Sequence, residues 1–447
     1  MKKGGGFYMM RNLPVSQKIL LGFAAIIIMG CFLLMLPLAS RDHTSCSFVN
    51  ALFTATSAVC VTGLVVRDTW TSWSGFGQAV ILFLIQAGGM GIMLAVSGVM
   101  ILTGRRIGLR DRSMVQDSIS APDSGGIIRL ARLILTVILS TELIGAILLY
   151  PVFARDHGAL KGAWFSVFHS VSAMCNAGFD LMGEHGAYSS LAYYAANPAV
   201  NLIIAGLIIW GGLGFLTWKD IFSHGRKLGR YSLQSRLILE VTVILIIVPA
   251  VLFFFLEFSS GTVTERVLAS FFCAVTPRTA GFATVDMNQL SEAGQMLVIL
   301  LMLIGGAPGS TAGGMKVTTL GVVFLSVRAV LHREKDTNYL NRRISEETIR
   351  NALCLCMMYL SLFLFAGMAV SRIEHLPLRT CLFESASAIG TVGLSLGITP
   401  SLSVFSKLIL AGLMYMGRVG ALTLVYALIP QLQCGNARRI PERITVG

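Results

Sequence analysis

Charge is what this chain has least of. Only 13% of its 447 residues are Asp, Glu, Lys or Arg, against 55% hydrophobic, and the mean hydropathy is +0.74. So little charge excludes an ordinary soluble domain and points to an all-α polytopic membrane protein. Acids are scarcer than bases, 22 against 35, which leaves a formal charge of +13. Roughly two-thirds of the Lys and Arg fall in alternate loops, so the excess reads as membrane topology and not as a nucleic-acid surface.

Other chemistries lack their residues. The nine cysteines show neither zinc nor disulfide spacing: Cys31, Cys354 and Cys356 lie in apolar runs, Cys60 and Cys175 in a repeated stretch. Intramembrane acids such as Glu142 and Glu240 are scattered, which argues against a membrane-embedded enzyme and for no organic cofactor. The glycine-rich run ending at Lys316 is not a nucleotide-binding loop, because Met315 precedes the lysine and no strand leads in. Lys2, Lys3, Arg11 and Lys18 precede an apolar run from Ile19 to Leu38 that is long enough to span and lacks a small-residue cleavage site. A retained first helix is expected.

What the chain does have is a repeated stretch. Phe53-Thr-Ala-Thr-Ser-Ala-Val-Cys-Val-Thr-Gly-Leu64 returns three times, the copies centring on Gly63, Gly178, Gly281 and Gly393. A phenylalanine stands ten residues before each glycine: Phe53, Phe168, Phe271 and Phe383. One unit used four times about a common axis is the geometry of a pore. The expected division is an N-terminal cytoplasmic segment 1–16, pore repeats 17–103, 127–222, 237–330 and 346–432, linkers 104–126, 223–236 and 331–345, and a tail 433–447. Each repeat reads as outer helix, short descending helix, glycine turn and inner helix. Arg105, Arg106, Arg226, Lys227, Arg342 and Arg343 in the linkers and Arg438 in the tail put both termini in the cytoplasm.

A cation leaving water needs replacement oxygens, and rings of backbone carbonyls supply them without burying full charges. Val61-Thr62-Gly63, Asn176-Ala177-Gly178, Thr279-Ala280-Gly281 and Thr391-Val392-Gly393 are therefore the candidate ion-binding filter. A short helix ending before each glycine would turn its partial negative charge toward the cation. Asp68, Asp180 and Asp286 follow within a few residues, where they are either solvated loop acids or a cation-concentrating mouth.

Residues 305–316 interrupt the third inner segment: Gly305, Gly306, Gly309, Ser310, Thr311, Gly313, Gly314 and Lys316 fall in a run that cannot hold a regular helix. Irregular backbone at membrane depth survives packed in protein or beside a wet cavity, which makes this run a candidate gate or a kinked packing helix. Shorter counterparts lie at 88–91, 211–214 and 417–420, where Arg418 replaces the second glycine of the fourth copy. An intramembrane arginine needs carbonyls, water or an acid, and the loop's carbonyls are its expected partners. Arg278, just before Gly281, is expected to brace the filter from behind against Glu384 or Asp286.

These motifs resemble the Trk/Ktr/HKT superfamily of potassium-transporting membrane subunits. The resemblance rests on Ser57-Ala-Val-Cys-Val-Thr-Gly-Leu64, Asn176-Ala-Gly-Phe179, Thr276-Pro-Arg-Thr-Ala-Gly-Phe282, Gly390-Thr-Val-Gly-Leu394, Gly309-Ser-Thr-Ala-Gly-Gly-Met-Lys316 and Arg418. It covers nearly the whole chain and is nearer the KtrB branch than the TrkH branch. It implies potassium uptake across the cytoplasmic membrane, a membrane homodimer with one pore per subunit, and a KtrA/TrkA-like cytosolic ring of nucleotide-binding subunits. It also implies that the third-unit loop gates the pore, facing Arg418, with K+ as the transported ion and Na+ as a coupling ion or effector. Each unit keeps one glycine where potassium channels use Thr-Val-Gly-Tyr-Gly, so the alternative is a sodium-conducting or weakly selective transporter of the same fold.

Overall fold

The structure is a computed structural model describing residues 14–91, 94, 116 and 126–428. The basic stretch around Arg105 and Arg106, the tail with Arg438 and the far end of the first inner segment lie outside the described residues.

Among the described residues four single helices are long and apolar enough to cross a bilayer, one per unit: Val15–Met35, Ile127–His157, Leu233–Leu256 and Glu346–Glu374. Their outward rows stand open, as Leu139, Leu143 and Ile147 do on the second and Ile244, Ile247 and Val251 on the third. Residues three and four apart share a helix face, so these rows are continuous apolar stripes of the kind lipid covers.

Each outer helix is followed by a shorter helix that ends at the glycine stretch: Phe48–Val59, Ala159–Met174, Val263–Val275 and Leu378–Gly390. At 1.5 Å per residue none reaches across a hydrocarbon core about 30 Å thick. Phe53, Phe168 and Phe383 are fully buried on them. In the third unit Phe271 is only half-buried and Phe272 takes the core position, one residue off the ten-residue spacing. The Thr276-Pro277-Arg278 segment is the cause: the helix ends earlier relative to Gly281 than in the other units. Since lipid is as apolar as the core, these rings stabilise the fold by contact density more than by leaving water.

The inner helices start alike, with Ser74, Asn197, Ser291 and Ser403 each accepting a hydrogen bond from the first turn's backbone. Three of them also end alike, at the shorter glycine counterparts that stand at 88–91, 211–214 and 417–420. Gly75–Met90 stops before Gly91, Pro198–Gly212 before Gly214 and Val404–Val419 before Gly420, with φ of +80°, +89° and +94°. A residue with a Cβ adopts that conformation poorly, so each glycine ends its helix. In the second unit the chain then turns by 98° into Phe215–His224, whereas in the third the helix ends at Leu303 and resumes at Val317.

Candidate ion pathway

The four glycines close a ring. A Cβ built on Gly63 would stand 2.5 Å from the Ala177 carbonyl oxygen, and one on Gly178 2.7 Å from that of Ala280. Gly281 meets the Val392 carbonyl and Gly393 the Thr62 carbonyl more closely still. Each glycine thus rests on the carbonyl preceding the next one, and the fourth returns to the first.

The backbone is the same in every quarter. Val61, Asn176, Thr279 and Thr391 take φ of +56°, +58°, +66° and +51°, the glycines two residues later are also positive, and the residues between are not. Left-handed φ is uncommon for residues with a Cβ and marks a constrained site. In an extended strand successive carbonyls alternate sides, whereas alternating φ signs bring them toward one side.

Hydroxyls hold these turns from behind. Ser57 Oγ accepts from the Gly63 N–H at 3.1 Å and Ser387 Oγ from the Gly393 N–H at 3.0 Å. Ser172 donates to the Phe179 carbonyl at 2.7 Å, and Thr276 donates to that of Phe282 at 2.5 Å. The Asn176 amide donates to the Ala173 and Ile208 carbonyls at 3.0 and 3.2 Å and accepts from Thr279 Oγ1 at 3.2 Å, tying two quarters together. None of these bonds was foreseen, although a serine six residues before three of the glycines was a visible signal.

Outside the ring, the glycines floor a cavity of about 600 Å³ that Asp68, Asp180 and Asp286 also line. These acids, which sequence position leaves open as a cation-concentrating mouth or as solvated loop residues, all border the opening. Asp180 is pushed up to about 7, chiefly by burial and further by Asp68, against hydrogen bonds from Met182 and Ser190. Arg278 corrects another expectation. It is buried, and its Nη2 donates to Thr242 Oγ1 at 3.3 Å on the third outer helix. Glu384 bonds the fourth unit and Asp286 caps a turn at Asn288, so neither acid is its partner.

Beneath the ring, residues 304–316 reach the break points of the neighbouring units. The Ala307 N–H donates to the Gly212 carbonyl at 2.9 Å, Phe215 N–H to that of Gly309 at 2.6 Å, and Gly314 N–H to that of Gly417 at 3.1 Å. Gly305 N–H and Val317 N–H bond within the third unit, to the Met315 and Gly306 carbonyls. Ser310 Oγ donates to the Ala307 carbonyl at 2.7 Å. The irregular segment therefore satisfies its backbone through its neighbours, as membrane depth requires.

Arg418 donates to the Thr311 carbonyl from one guanidinium nitrogen and to those of Gly88 and, at 3.0 Å, Gly89 from another. The loop was the expected partner; the first unit was not. Lys316 Nζ donates to the Ala312 and Gly313 carbonyls at 2.8 and 3.4 Å. Two basic side chains thus hold three successive loop carbonyls over a cavity of about 360 Å³ lined by Gly89, Ser310, Lys316 and Arg418. Gly313 lies against Thr391 Oγ1, so loop and ring touch.

Four outer helices around four re-entrant stretches that close on one ring define a single-chain, fourfold pore-loop membrane protein. The family model for TrkH, described as a cation transport protein, matches residues 23–436, and the chain belongs to that family. It is 40% identical to the potassium/sodium uptake protein NtpJ of Enterococcus hirae, covering 97% of each chain. Identity to the Ktr system potassium uptake protein B of Bacillus subtilis is 38%, over 92% of each. The potassium transporter TrkH of Vibrio parahaemolyticus shares the fold with a TM-score of 0.74 at 20% identity, over 93% of this chain and 84% of that one. Membership in this family makes the chain a membrane transporter and not an enzyme.

Proposed function

We propose that this chain is the pore-forming subunit of a Ktr-type potassium uptake system in the cytoplasmic membrane, with both termini cytoplasmic. The closed ring of four glycine turns carries the reading, because it offers carbonyls from four directions at one depth. Val61 to Gly63, Asn176 to Gly178, Thr279 to Gly281 and Thr391 to Gly393 are its filter. The helices ending at Val59, Met174, Val275 and Gly390 turn their negative poles toward it. Residues 305–316 are the gate: they lie under the ring, and Arg418 and Lys316 hold them by backbone carbonyls that a hydrated ion could compete for. The four-repeat division of the chain belongs to the same reading.

The Ktr system name of one relative supports a cytosolic regulatory partner, which the basic linkers would meet, and we extend the reading to a homodimer with one pore per subunit. NtpJ, named for potassium and sodium, supports a second reading in which Na+ is transported or acts as an effector. Flux into liposomes under a defined K+ or Na+ gradient tests both. Rubidium uptake driven by K+ and indifferent to Na+ supports the potassium reading, equal flux of the two ions supports the second, and no flux of either defeats both.

A further inference from the structure

The segments just outside the ring are held in two different ways, in alternate units. Each descending helix carries a different side chain immediately after its buried phenylalanine: Thr54, His169, Cys273 and Glu384. In the fourth unit that side chain leaves its helix. Glu384 is fully buried; its Oε1 accepts from the Leu396 N–H at 3.1 Å and the Ser395 hydroxyl at 2.5 Å, and its Oε2 from the Thr399 hydroxyl at 2.8 Å. In the second unit His169 Nε2 accepts from the Leu181 N–H at 3.3 Å, while Nδ1 faces the Phe165 carbonyl at 2.7 Å. One neutral tautomer with its proton on Nδ1 satisfies both bonds. Leu181 and Leu396 are the third residues after Gly178 and Gly393, so the two latches meet the chain at the same step.

Among the described residues Thr54 and Cys273, in the other two units, form no such latch. Thr54 turns back to the Asn50 carbonyl of its own helix at 2.9 Å. Their outer segments are tied by the second unit's excursion instead. The Tyr188 N–H donates to Asp68 Oδ2 at 3.0 Å, Ala283 N–H to Ser190 Oγ at 3.1 Å, and Leu191 N–H to the Ala283 carbonyl at 2.9 Å.

We propose that Glu384 and His169 are positioning residues that fix the outer end of the filter in the fourth and second units, and that discrimination of K+ against Na+ depends on them. The inference rests on the filter reading. A ring selects the larger ion only while its carbonyls are kept from closing on the smaller one. Gly178 and Gly393 meet their ring neighbours through backbone, and Ser387 behind the Gly393 N–H is one restraint on the turn, so what holds the chain three residues further on is a second limit on how far they move. An acceptor behind the N–H of Leu396 does this without entering the pathway.

The test uses full-length protein in liposomes, measuring rubidium uptake against competing K+ and Na+. Glu384→Leu removes every acceptor and should raise Na+ competition relative to K+ by about tenfold. Glu384→Gln keeps an oxygen for Leu396 and should recover most of the discrimination, a rescue that mere space-filling would not distinguish from leucine. His169→Leu should act in the same direction, more weakly, since it breaks one such bond. If Glu384→Leu does not fold, His169→Leu, which removes the acceptor behind the Leu181 N–H outright, decides in its place. Unchanged discrimination in the folded variant overturns the proposal. Gly393→Ser separates the two layers: if it alters uptake while the Glu384 variants do not, only the latch is wrong, and if it alters nothing, the filter reading falls with it.

Discussion

In the ring, four residues of three types, Val61, Asn176, Thr279 and Thr391, take nearly one backbone conformation, with φ from +51° to +66°. Some residues further along, the same four units stop being equivalent: three end their inner helices at a left-handed glycine, Gly91, Gly214 or Gly420, the second then bending by 98°, whereas the third carries the segment 304–316 instead. The difference follows from what each level contributes. On the filter and gate reading proposed above, carbonyls offered to one ion need to be equivalent, whereas a device that closes a pathway needs only one moving quarter and fixed neighbours to close against. Accordingly the third loop is bonded to the second unit at Gly212, to the fourth at Gly417, and through Arg418 it shares a clamp with the first at Gly88.

The strongest way to break the comparison is to put a side chain into the ring. Gly178→Ser would place a Cβ 2.7 Å from the Ala280 carbonyl and force a left-handed φ of +69° on a residue with a Cβ. The strain alone is of the order of 1–3 kcal/mol, and the clash adds to it. Uptake should fall to background in a potassium-uptake-deficient cell, and so should Gly63→Ser. Normal growth on low potassium with either variant would mean that the ring is not the pathway.

The break level should respond in the opposite direction. Deleting residues 307–313, or exchanging Arg418→Gln, frees the loop carbonyls and should raise flux severalfold in liposomes. Arg418→Gln also leaves the Thr311 and Gly88 carbonyls short of donors, for a stability loss of about 1–3 kcal/mol. Flux that stays level or drops in well-folded protein would make the loop a packing element and Arg418 a tether.

Between these two levels the sequence was legible to different degrees. The ring could be located because glycine spacing records a backbone requirement directly, and all four glycines converge as that spacing implies. Phe271 shares the ten-residue spacing of its counterparts but not their burial, because Thr276-Pro277-Arg278 ends the third helix earlier relative to Gly281. The breaks at Gly91, Gly214 and Gly420 were underestimated, since short glycine pairs in apolar runs also suit close helix packing. Arg278 found a threonine and not an acid because its depth beside the third outer helix depends on tertiary packing that spacing does not encode. The hydroxyls behind the ring were visible only as small residues, whose bonding needs three-dimensional neighbours.

A milder change would sharpen the comparison inside the ring itself. Ser57→Ala leaves the Gly63 N–H without its acceptor, whereas Ser172→Ala takes a donor from the Phe179 carbonyl. Each loses about 1 kcal/mol, roughly a fivefold effect on whatever the turn's geometry controls. If the ring works as one unit, the two variants should shift Rb+ over Na+ preference equally in competition assays. A response confined to one of them would show that the quarters act independently.

The smallest expected effect lies at the mouth and depends on Asp180. Its carboxyl is pushed up to about 7 by burial, so lowering the external pH from about 8 to about 6 protonates it and removes one negative charge from the opening. Fewer cations then gather there, and the K+ concentration for half-maximal uptake should rise about twofold while the maximal rate holds. Stability moves the other way. A carboxyl raised above its unfolded value stabilises the fold while protonated and loses that contribution as pH climbs through 7. Asp180→Asn should therefore behave at pH 8 as the unsubstituted protein does at pH 6, with its own pH step gone. If the step survives in Asp180→Asn, the titrating group lies elsewhere, and Asp180 is only a wall of the vestibule.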